Sequence, residues 1–168
     1  MDAGATTHGE IEVRAVPPTS DQAQRALRGY LEDVANRYYG RPATSEEMEA
    51  ALRAHPADDL VAPDGMFWVA TDARGAVSGC VGLARLTERV GEVRRLHVDQ
   101  RLRGRGLGRR LMTEVEAEAR QMGLTDLRLD TRLDLVESQR LYDALGYRRT
   151  APHSGGPYAE VWFAKKLV

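Results

Sequence analysis

Apolar and polar residues alternate in several short stretches of the chain, which is the pattern of strands with one buried face. Ile11–Val16 is the first of these stretches, and two prolines end it. The residues Asp72–Gly75 between two apolar runs predict a tight hairpin connection. The same reasoning predicts further strands at residues 67–71, 77–86, 92–99, 127–131, 147–150 and 158–165.

Elsewhere apolar residues recur every three to four positions, and this spacing predicts helices. The Thr-Ser-Asp run at 19–21 offers N-caps for a first helix that ends near Tyr39. Asp134 followed by Glu137 resembles a capping box at the start of the last helix. The predicted helices cover about residues 21–39, 45–55, 107–122 and 135–146.

The resulting order, β-α-α-β-β-β-α-β-α-β-β, predicts one α/β domain with a mixed sheet. Residues 1–10 are small and polar and are predicted to form a flexible tail, which leaves 11–168 as the domain. A length of 168 residues, 42% hydrophobic and 29% charged, fits a soluble globular protein. The net charge of −1 argues against nucleic acid as a partner, because domains that bind it are usually strongly basic.

Cys80 is the only cysteine, so no disulfide forms within the chain, and the four histidines lack the spacing of metal ligands. No secretory signal is evident, and no apolar run reaches the roughly 18 residues that cross a bilayer. We therefore expect a cytoplasmic protein without a membrane partner or a bound metal. Cys80 is expected to be a small core residue.

The run Arg103–Gly108, Arg-Gly-Arg-Gly-Leu-Gly, lies where the third predicted helix begins. Glycines let backbone N–H groups converge on an anion, and a helix N-terminus adds partial positive charge. A glycine-rich turn with a solvated arginine face is the plainer interpretation. The strand before the run and the amphipathic helix after it favour a diphosphate site, although the spacing fits neither the Rossmann nor the Walker pattern.

The strand before this loop, Glu92–Asp99, contains a break in its alternation. Leu96 and Val98 share one face, whereas strict alternation places Val93 on the other face. A β-bulge between Val93 and Leu96 would restore a common face, and bulges often lie beside active sites. The alternative is that Val93 packs against a helix on the second face of the sheet.

Arg103–Gly108 matches the R/Q-x-x-G-x-G/A signature, and Leu141–Tyr147 the L-Y-x-x-x-G-F/Y segment, of one family. Over roughly residues 65–166 the chain thus resembles the GNAT superfamily of N-acetyltransferases. The resemblance implies a mixed, mostly antiparallel sheet whose parallel central strands splay apart and are flanked by helices. It also implies acetyl-CoA as co-substrate, held between strands 92–99 and 127–131.

The resemblance further implies which groups hold acetyl-CoA. Backbone of Leu96, His97 and Val98 would pair with the pantetheine arm and polarise the thioester carbonyl. Where the family often has an asparagine that helps to hold the cofactor, this chain has Leu135, and either Thr131 or Ser138 is expected to replace that contact. The diphosphate would be held by backbone N–H groups of Arg103, Gly104, Arg105, Gly106, Leu107, Gly108 and Arg109.

Tyr142 is the implied general acid, because a phenol can protonate the departing thiolate. Its helical stripe also fits a core tyrosine. Glu92 is the first candidate for the general base that accepts a proton from the amine, and an exposed carboxylate paired with an arginine is the alternative. His97 ranks second: an imidazole titrates near neutrality, but alternation points this one to the face opposite Leu96.

The expected reaction is transfer of an acetyl group from acetyl-CoA to a primary amine by direct attack in a ternary complex. The acceptor is expected to be a small molecule or amino acid, in a pocket built largely from residues 17–65. A polyanion- or nucleic-acid-binding module based on the arginines at 101–110 is one alternative, and an acyl-CoA sensor without turnover is another. The family resemblance also makes a homodimer an expectation.

Overall fold

A computed structural model of the chain describes residues 10–168, so nearly all of the predicted N-terminal tail lies outside the described residues. The strands and helices follow in the predicted order. No helix within 10–168 is long and apolar enough to cross a membrane. The elements are β1 (Glu12–Ala15), α1 (Asp21–Tyr39), α2 (Ser45–Ala54), β2 (Gly65–Thr71), β3 (Val77–Arg85), β4 (Val90–Val98), α3 (Leu107–Gln121), β5 (Asp126–Thr131), α4 (Val136–Ala144), β6 (Arg148–Thr150) and β7 (Val161–Lys166).

The seven strands form one sheet in the order β1-β2-β3-β4-β5-β7-β6. The neighbours β4 and β5 are parallel, and every other neighbouring pair is antiparallel. The parallel pairing covers only Val90–Glu92 against Asp126–Arg128, whereas β4 stays paired with β3 as far as Val98. The two central strands therefore splay apart after Glu92, which confirms the predicted mixed sheet.

Helices cover both faces of the sheet and bury two separate cores. On one face, Ala26 and Leu27 of α1 pack with Phe67, Val69 and Cys80 from the sheet. On the other face, the apolar residues of α3 pack on the strand residues that alternate with the first set and therefore point to the opposite side of the sheet. Cys80 is fully buried, as expected of a small core residue, and burial raises the pKa of its thiol to about 12.

A β-bulge interrupts β4 where the sequence pattern breaks. Cys80 pairs with His97 and Gly82 with Arg94, so β4 has one more residue than β3 between these two pairs. Arg95 takes the left-handed conformation, with φ of 60°. The extra residue brings Val93 into the same core that Leu96 borders, which confirms the bulge and excludes the alternative placement of Val93.

The predicted capping box of the last helix is wrong. The N-cap of α4 is Leu135, and no side chain caps this end. The Asp134 carboxylate instead accepts two hydrogen bonds from Arg132, at 2.8 and 2.6 Å from its Nε and Nη2. A forked charge-assisted pair is stronger than a hydrogen bond to a helix N-terminus, so the Asp134 carboxylate binds Arg132 and does not cap α4.

Candidate active site

Two cavities open at the gap between β4 and β5. The loop cleft, of about 470 Å³, lies between the end of β4, the loop 102–106, the first turn of α3 and α4. The tyrosine cavity, of about 460 Å³, lies between α1, α2, the splayed strands and the segment 155–159. Its tyrosines are Tyr30, Tyr38, Tyr39, Tyr142 and Tyr158. Both cavities are lined by Tyr30, Val34, Leu96, Leu135 and Ser138, so they meet at these residues.

Backbone groups form the part of the loop cleft that is suited to an anion. Gly104 and Gly106 have φ of 77° and 84°, a conformation that side chains with a Cβ rarely adopt. Gly106 is the N-cap of α3, and no side chain caps that helix, so its first N–H groups stay available to an anion. A Cβ on Gly108 would lie 2.9 Å from the Leu141 side chain, so this glycine serves the close approach of α4.

The loop arginines differ in what they contact. Arg103 donates from Nε to the Val98 carbonyl at 3.1 Å and from Nη2 to Asp33 at 2.9 Å, and its Nη1 lies 3.4 Å from Glu137. Arg109 lines the loop cleft, whereas Arg105 is exposed and lines neither cavity. The Arg103 guanidinium therefore fixes the loop to α1 and α4.

Asp33 of α1 joins several cations at the edge of the loop cleft. Its carboxylate lies 3.4 Å from His97 Nε2, 3.4 Å from Arg37 Nε and 2.9 Å from Arg103 Nη2. The hydrogen bond from His97, followed by the charge of Arg37 and a hydrogen bond from Arg103, outweighs burial and lowers the pKa of Asp33 to about 2. His97 is among the residues that line the loop cleft, whereas Glu92 and Tyr142 are among those that line the tyrosine cavity.

The segment Leu96–Val98, for which the family resemblance implies contact with the cofactor, lies along the loop cleft. Because β5 pairs with β4 only up to Glu92, this edge of β4 is free of β5. An unpaired strand edge offers backbone N–H and C=O groups to an extended ligand. Together with the uncapped helix end, it fits an arm that carries amides followed by a diphosphate.

Tyr142 lies on α4 and belongs both to the core and to the wall of the tyrosine cavity. Its ring packs against Tyr147 and Phe163, with centroids 5.8 and 5.5 Å away, and it is 5% exposed. It also lines the tyrosine cavity. Burial, with smaller effects from Tyr30 and Asp130, raises the pKa of Tyr142 above its ordinary value, so the phenol keeps its proton at neutral pH.

Glu92 also lines the tyrosine cavity, on the face of β4 opposite Val93. Its Oε1 accepts a hydrogen bond from Arg94 Nε at 2.5 Å, and Arg94 also pairs with Asp59. Its side chain is 16% exposed. Glu92 is thus paired with an arginine, as the alternative interpretation expects, yet it remains in the cavity wall.

The two residues expected to replace the family asparagine lie in different places. Ser138 lines both cavities, as does Leu135. Thr131 is buried at the end of β5 and lines only the tyrosine cavity. The cofactor roles of both hydroxyls remain predictions, and the position of Ser138 at the junction suits the role better.

Of the charged residues that line the tyrosine cavity, the sequence motifs pointed only to Glu92. They gave no indication of Glu47, Arg94, Arg95, Asp130 and Arg132. Asp130 alternates with Leu129 and Thr131, so the strand pattern already places it on the polar face of β5. Its Oδ2 accepts a hydrogen bond from Ser154 at 2.8 Å. Arg95 is the bulge residue, and its direction follows from the bulge geometry, which strand alternation cannot give.

The sequence model of the Acetyltransferase (GNAT) family matches residues 29–147. The chain belongs to the GNAT family of acetyltransferases. The match includes the glycine loop, α3 and the Leu141–Tyr147 segment. It also extends into α1, beyond the part for which the sequence motifs gave a resemblance.

Three proteins of known sequence or structure are similar to this GNAT protein over nearly its whole chain. An uncharacterized N-acetyltransferase of Schizosaccharomyces pombe is 28% identical over 158 residues, which are 92% of this chain and 93% of that protein. An acetyltransferase structure from Staphylococcus aureus has a TM-score of 0.76 at 16% identity, over 95% of this chain and 100% of that one. The PaiA N-acetyltransferase of Thermoplasma acidophilum, solved with coenzyme A, has a TM-score of 0.71 at 18% identity, over 94% and 99%.

These likenesses show the GNAT fold, and the family supports acetyl-CoA as co-substrate. The fit of the cofactor rests on this protein's own features: the uncapped start of α3, the left-handed glycines and the free edge of β4. Within residues 10–168 no group of three or more His, Cys, Asp or Glu side chains is placed to hold a metal ion.

Proposed function

We propose that this protein transfers the acetyl group of acetyl-CoA to the primary amine of a small molecule or amino acid, by direct attack in a ternary complex. The observation that carries the proposal is the junction of the two cavities at Leu96 and Ser138. A donor in the loop cleft and an acceptor in the tyrosine cavity could be held at once, with their reacting atoms adjacent. Such placement is itself a large part of catalysis.

Acetyl-CoA supplies a thioester, in which the amine nitrogen forms a bond to the carbonyl carbon and the bond from carbon to sulfur breaks. Tyr142 donates its phenolic proton to the departing thiolate. Glu92 accepts the proton that the amine loses, directly or through a water molecule. Its ion pair with Arg94 fixes the carboxylate in the cavity wall. Proton exchange with solvent restores both groups.

The two alternative functions have less support. For a polyanion-binding module the arginines would need free charges, but within the described residues Arg101 pairs with Asp99 and Arg103 with Asp33, so two of the five arginines at 101–110 are neutralised. An acyl-CoA sensor would need the loop cleft and has no use for a second cavity of equal size beside it.

The proposal is tested by measuring thermal stability with acetyl-CoA or a short oligonucleotide, and CoA release with a panel of amines. We expect stabilisation by acetyl-CoA and release of CoA with at least one small amine, whose product gains the mass of one acetyl group. Glu92→Gln should slow that release. Stabilisation by the oligonucleotide alone would establish the binding module, and acetyl-CoA binding without turnover of any amine would establish the sensor.

A further inference from the structure

Three arginines line the tyrosine cavity, and they differ in their partners. Arg94 is paired with Glu92 and Asp59, and Arg132 with Asp134. Within the described residues 10–168, Arg95 makes no ion pair. The wall of the cavity therefore holds one cationic side chain whose charge no carboxylate of the described chain neutralises.

Neutral groups hold the Arg95 side chain in place. Its Nη2 donates to the carbonyl oxygens of His55 and Pro56, at 3.2 and 3.3 Å. Its Nε is buried and has no hydrogen-bond partner within residues 10–168. A buried donor without an acceptor is unfavourable, and a half-buried guanidinium without an anion adds to the cost.

The backbone of Arg95 is unfavourable as well, because it adopts a φ of 60° without being glycine. Residues held in this region concentrate at ligand-binding and catalytic positions, where the surrounding structure maintains them. Here the residue lies in the bulge of β4, and the Cys80 thiol donates a hydrogen bond to its carbonyl at 3.2 Å. Strained backbone, unpaired charge and unpaired Nε together indicate that Arg95 serves a ligand.

Asp130 is the corresponding anion. It is half-buried on the cavity face of β5, and within the described part of the chain no lysine or arginine forms an ion pair with it. Ser154 donates to its Oδ2, and the Trp162 indole in turn donates to the Ser154 hydroxyl at 3.0 Å. These bonds hold the carboxylate beside the segment 155–159 that closes the cavity, and leave its charge without a cationic partner.

We propose that the acceptor is an α-amino acid, with Arg95 binding its carboxylate and Asp130 attracting its ammonium group. The proposal rests on the proposed function and names the chemical class of the acceptor. Guanidinium groups bind carboxylates with forked hydrogen bonds, and an ammonium group is complementary to an aspartate. One free cation and one free anion in one cavity fit a zwitterion better than a simple amine.

The position of both charges argues against a role with the cofactor. Arg95 and Asp130 line the tyrosine cavity and do not line the loop cleft, where the glycine loop and the start of α3 serve phosphate. The mouth of the tyrosine cavity is aromatic: Tyr38 packs edge-on against both Tyr39 and Tyr158. These three rings are 57%, 43% and 40% exposed, and they offer a contact surface to an apolar amino-acid side chain.

The test compares each amino acid with its carboxamide and with the amine that lacks the carboxyl group, in the CoA-release assay. With the wild-type protein we expect kcat/KM for the preferred acid to exceed that for its amide by about 10- to 100-fold. Arg95→Gln should remove this difference by lowering the value for the acid much more than the value for the amide. Asp130→Asn should raise KM for both compounds more than it lowers kcat.

Arg53→Gln is the matched control, because Arg53 lies on the exposed side of α2 with its side chain 72% exposed. It removes the same charge near the cavity and should leave the preference for acids intact. Stabilisation by acetyl-CoA reports whether each variant is folded, and the substrate comparison in the wild type needs no variant at all.

Equal turnover of acids and amides by the wild type would overturn the assignment while leaving the acetyltransferase proposal standing. An Arg95→Gln variant that binds acetyl-CoA and still prefers acids would also overturn it. Failure of every amine to release CoA would contradict the proposed function itself, so the two failures are distinguishable.

Discussion

The loop cleft and the tyrosine cavity are nearly equal in volume, but the chain builds them in different ways. The main wall of the loop cleft is one stretch, Leu96–Arg109, and its groups for binding an anion are backbone N–H groups. The tyrosine cavity is formed by side chains from α1, α2, β4, β5, α4 and the segment before β7. Recognition by backbone is encoded locally, whereas recognition by side chains depends on which distant elements meet.

Different substitutions should therefore lower kcat and weaken the binding of acetyl-CoA. Tyr142→Phe removes one hydroxyl from the tyrosine cavity and keeps the ring that packs on Phe163. We expect kcat to fall at least about 100-fold, because the thiolate then leaves without a proton donor. The KM for acetyl-CoA and the melting temperature should change little. Steady-state CoA release and thermal unfolding measure these quantities.

Tyr147→Phe provides the matched control for that substitution. Tyr147 packs on Tyr142 and is equally buried, but its hydroxyl has no hydrogen-bond partner in residues 10–168 and it lines neither cavity. Its removal should leave kcat unchanged. Loss of activity in both variants would show that activity depends on the packing around these two rings, and not on a proton donated by Tyr142.

The loop cleft should respond to a change of backbone. Gly106→Ala places a Cβ on a residue with φ of 84°, which costs about 1–2 kcal/mol or forces the loop to rearrange. We expect the Kd for acetyl-CoA to rise roughly 10-fold, because the N–H groups at the start of α3 lose their alignment. Calorimetric titration with acetyl-CoA measures this effect.

Gly123→Ala is the control that separates the backbone strain caused by a Cβ from a loss of acetyl-CoA affinity. Gly123 follows the other end of α3 with φ of 78°, and a Cβ added there would meet no atom within 4 Å, as at Gly106. Both variants should lose similar stability, and only Gly106→Ala should lose affinity. Equal affinity in the two variants would mean that the loop backbone does not bind the cofactor.

Asp33 holds together the walls of the loop cleft, because it joins α1 to the loop through Arg103 and to β4 through His97. Its pKa of about 2 lies below the ordinary value of 3.8, so the unfolded chain binds its proton more readily than the folded chain. The stabilisation is then fully present above about pH 4 and is lost as the pH falls toward 2. Because solvent screens this partly exposed carboxylate, Asp33→Asn should lower the free energy of unfolding by about 1–2 kcal/mol at pH 7.

Urea unfolding of the wild type and Asp33→Asn at pH 7 and near pH 3 tests this prediction, and the difference between the two proteins should shrink at the lower pH. Glu32→Gln is the control, because Glu32 is a neighbour on α1 that makes no ion pair within the described residues. A difference that stays constant with pH would assign the effect to packing rather than to charge.

Most of the fold could be predicted because its signals are local. The strand and helix periods gave the order of the elements, and a break in alternation around Val93 and Leu96 gave the bulge. The predicted capping box at Asp134 was wrong although its signal is local. Arg132 binds the Asp134 carboxylate instead, and Arg132 is oriented by a tertiary contact, the hydrogen bond from its Nη1 to the Val34 carbonyl.

The candidate site was predictable in part for the same reason. The glycine loop and the positions of Tyr142 and Glu92 follow from motifs and alternation. Their partners do not, because Arg94 pairs with Asp59 across 35 positions of the chain and Arg103 with Asp33 across 70. Whether a charged side chain is neutralised or free is decided by such distant contacts, and this is why the sequence pattern did not indicate Arg95.

By itself the sequence determined the order of the strands and helices, since short-range periods encode it, and its two motifs gave the resemblance to the GNAT fold. The glycine loop that is predicted to hold a diphosphate is also local, because it depends on backbone conformations that glycines permit. Only the tertiary structure decided which charges remain available. The splay of β4 from β5 opens the gap, and the packing of α1 and α2 against it assembles the tyrosine cavity from residues far apart in the chain. Pairing neutralises two of the three arginines in the cavity wall and leaves Arg95 and Asp130 without an ion pair among residues 10–168.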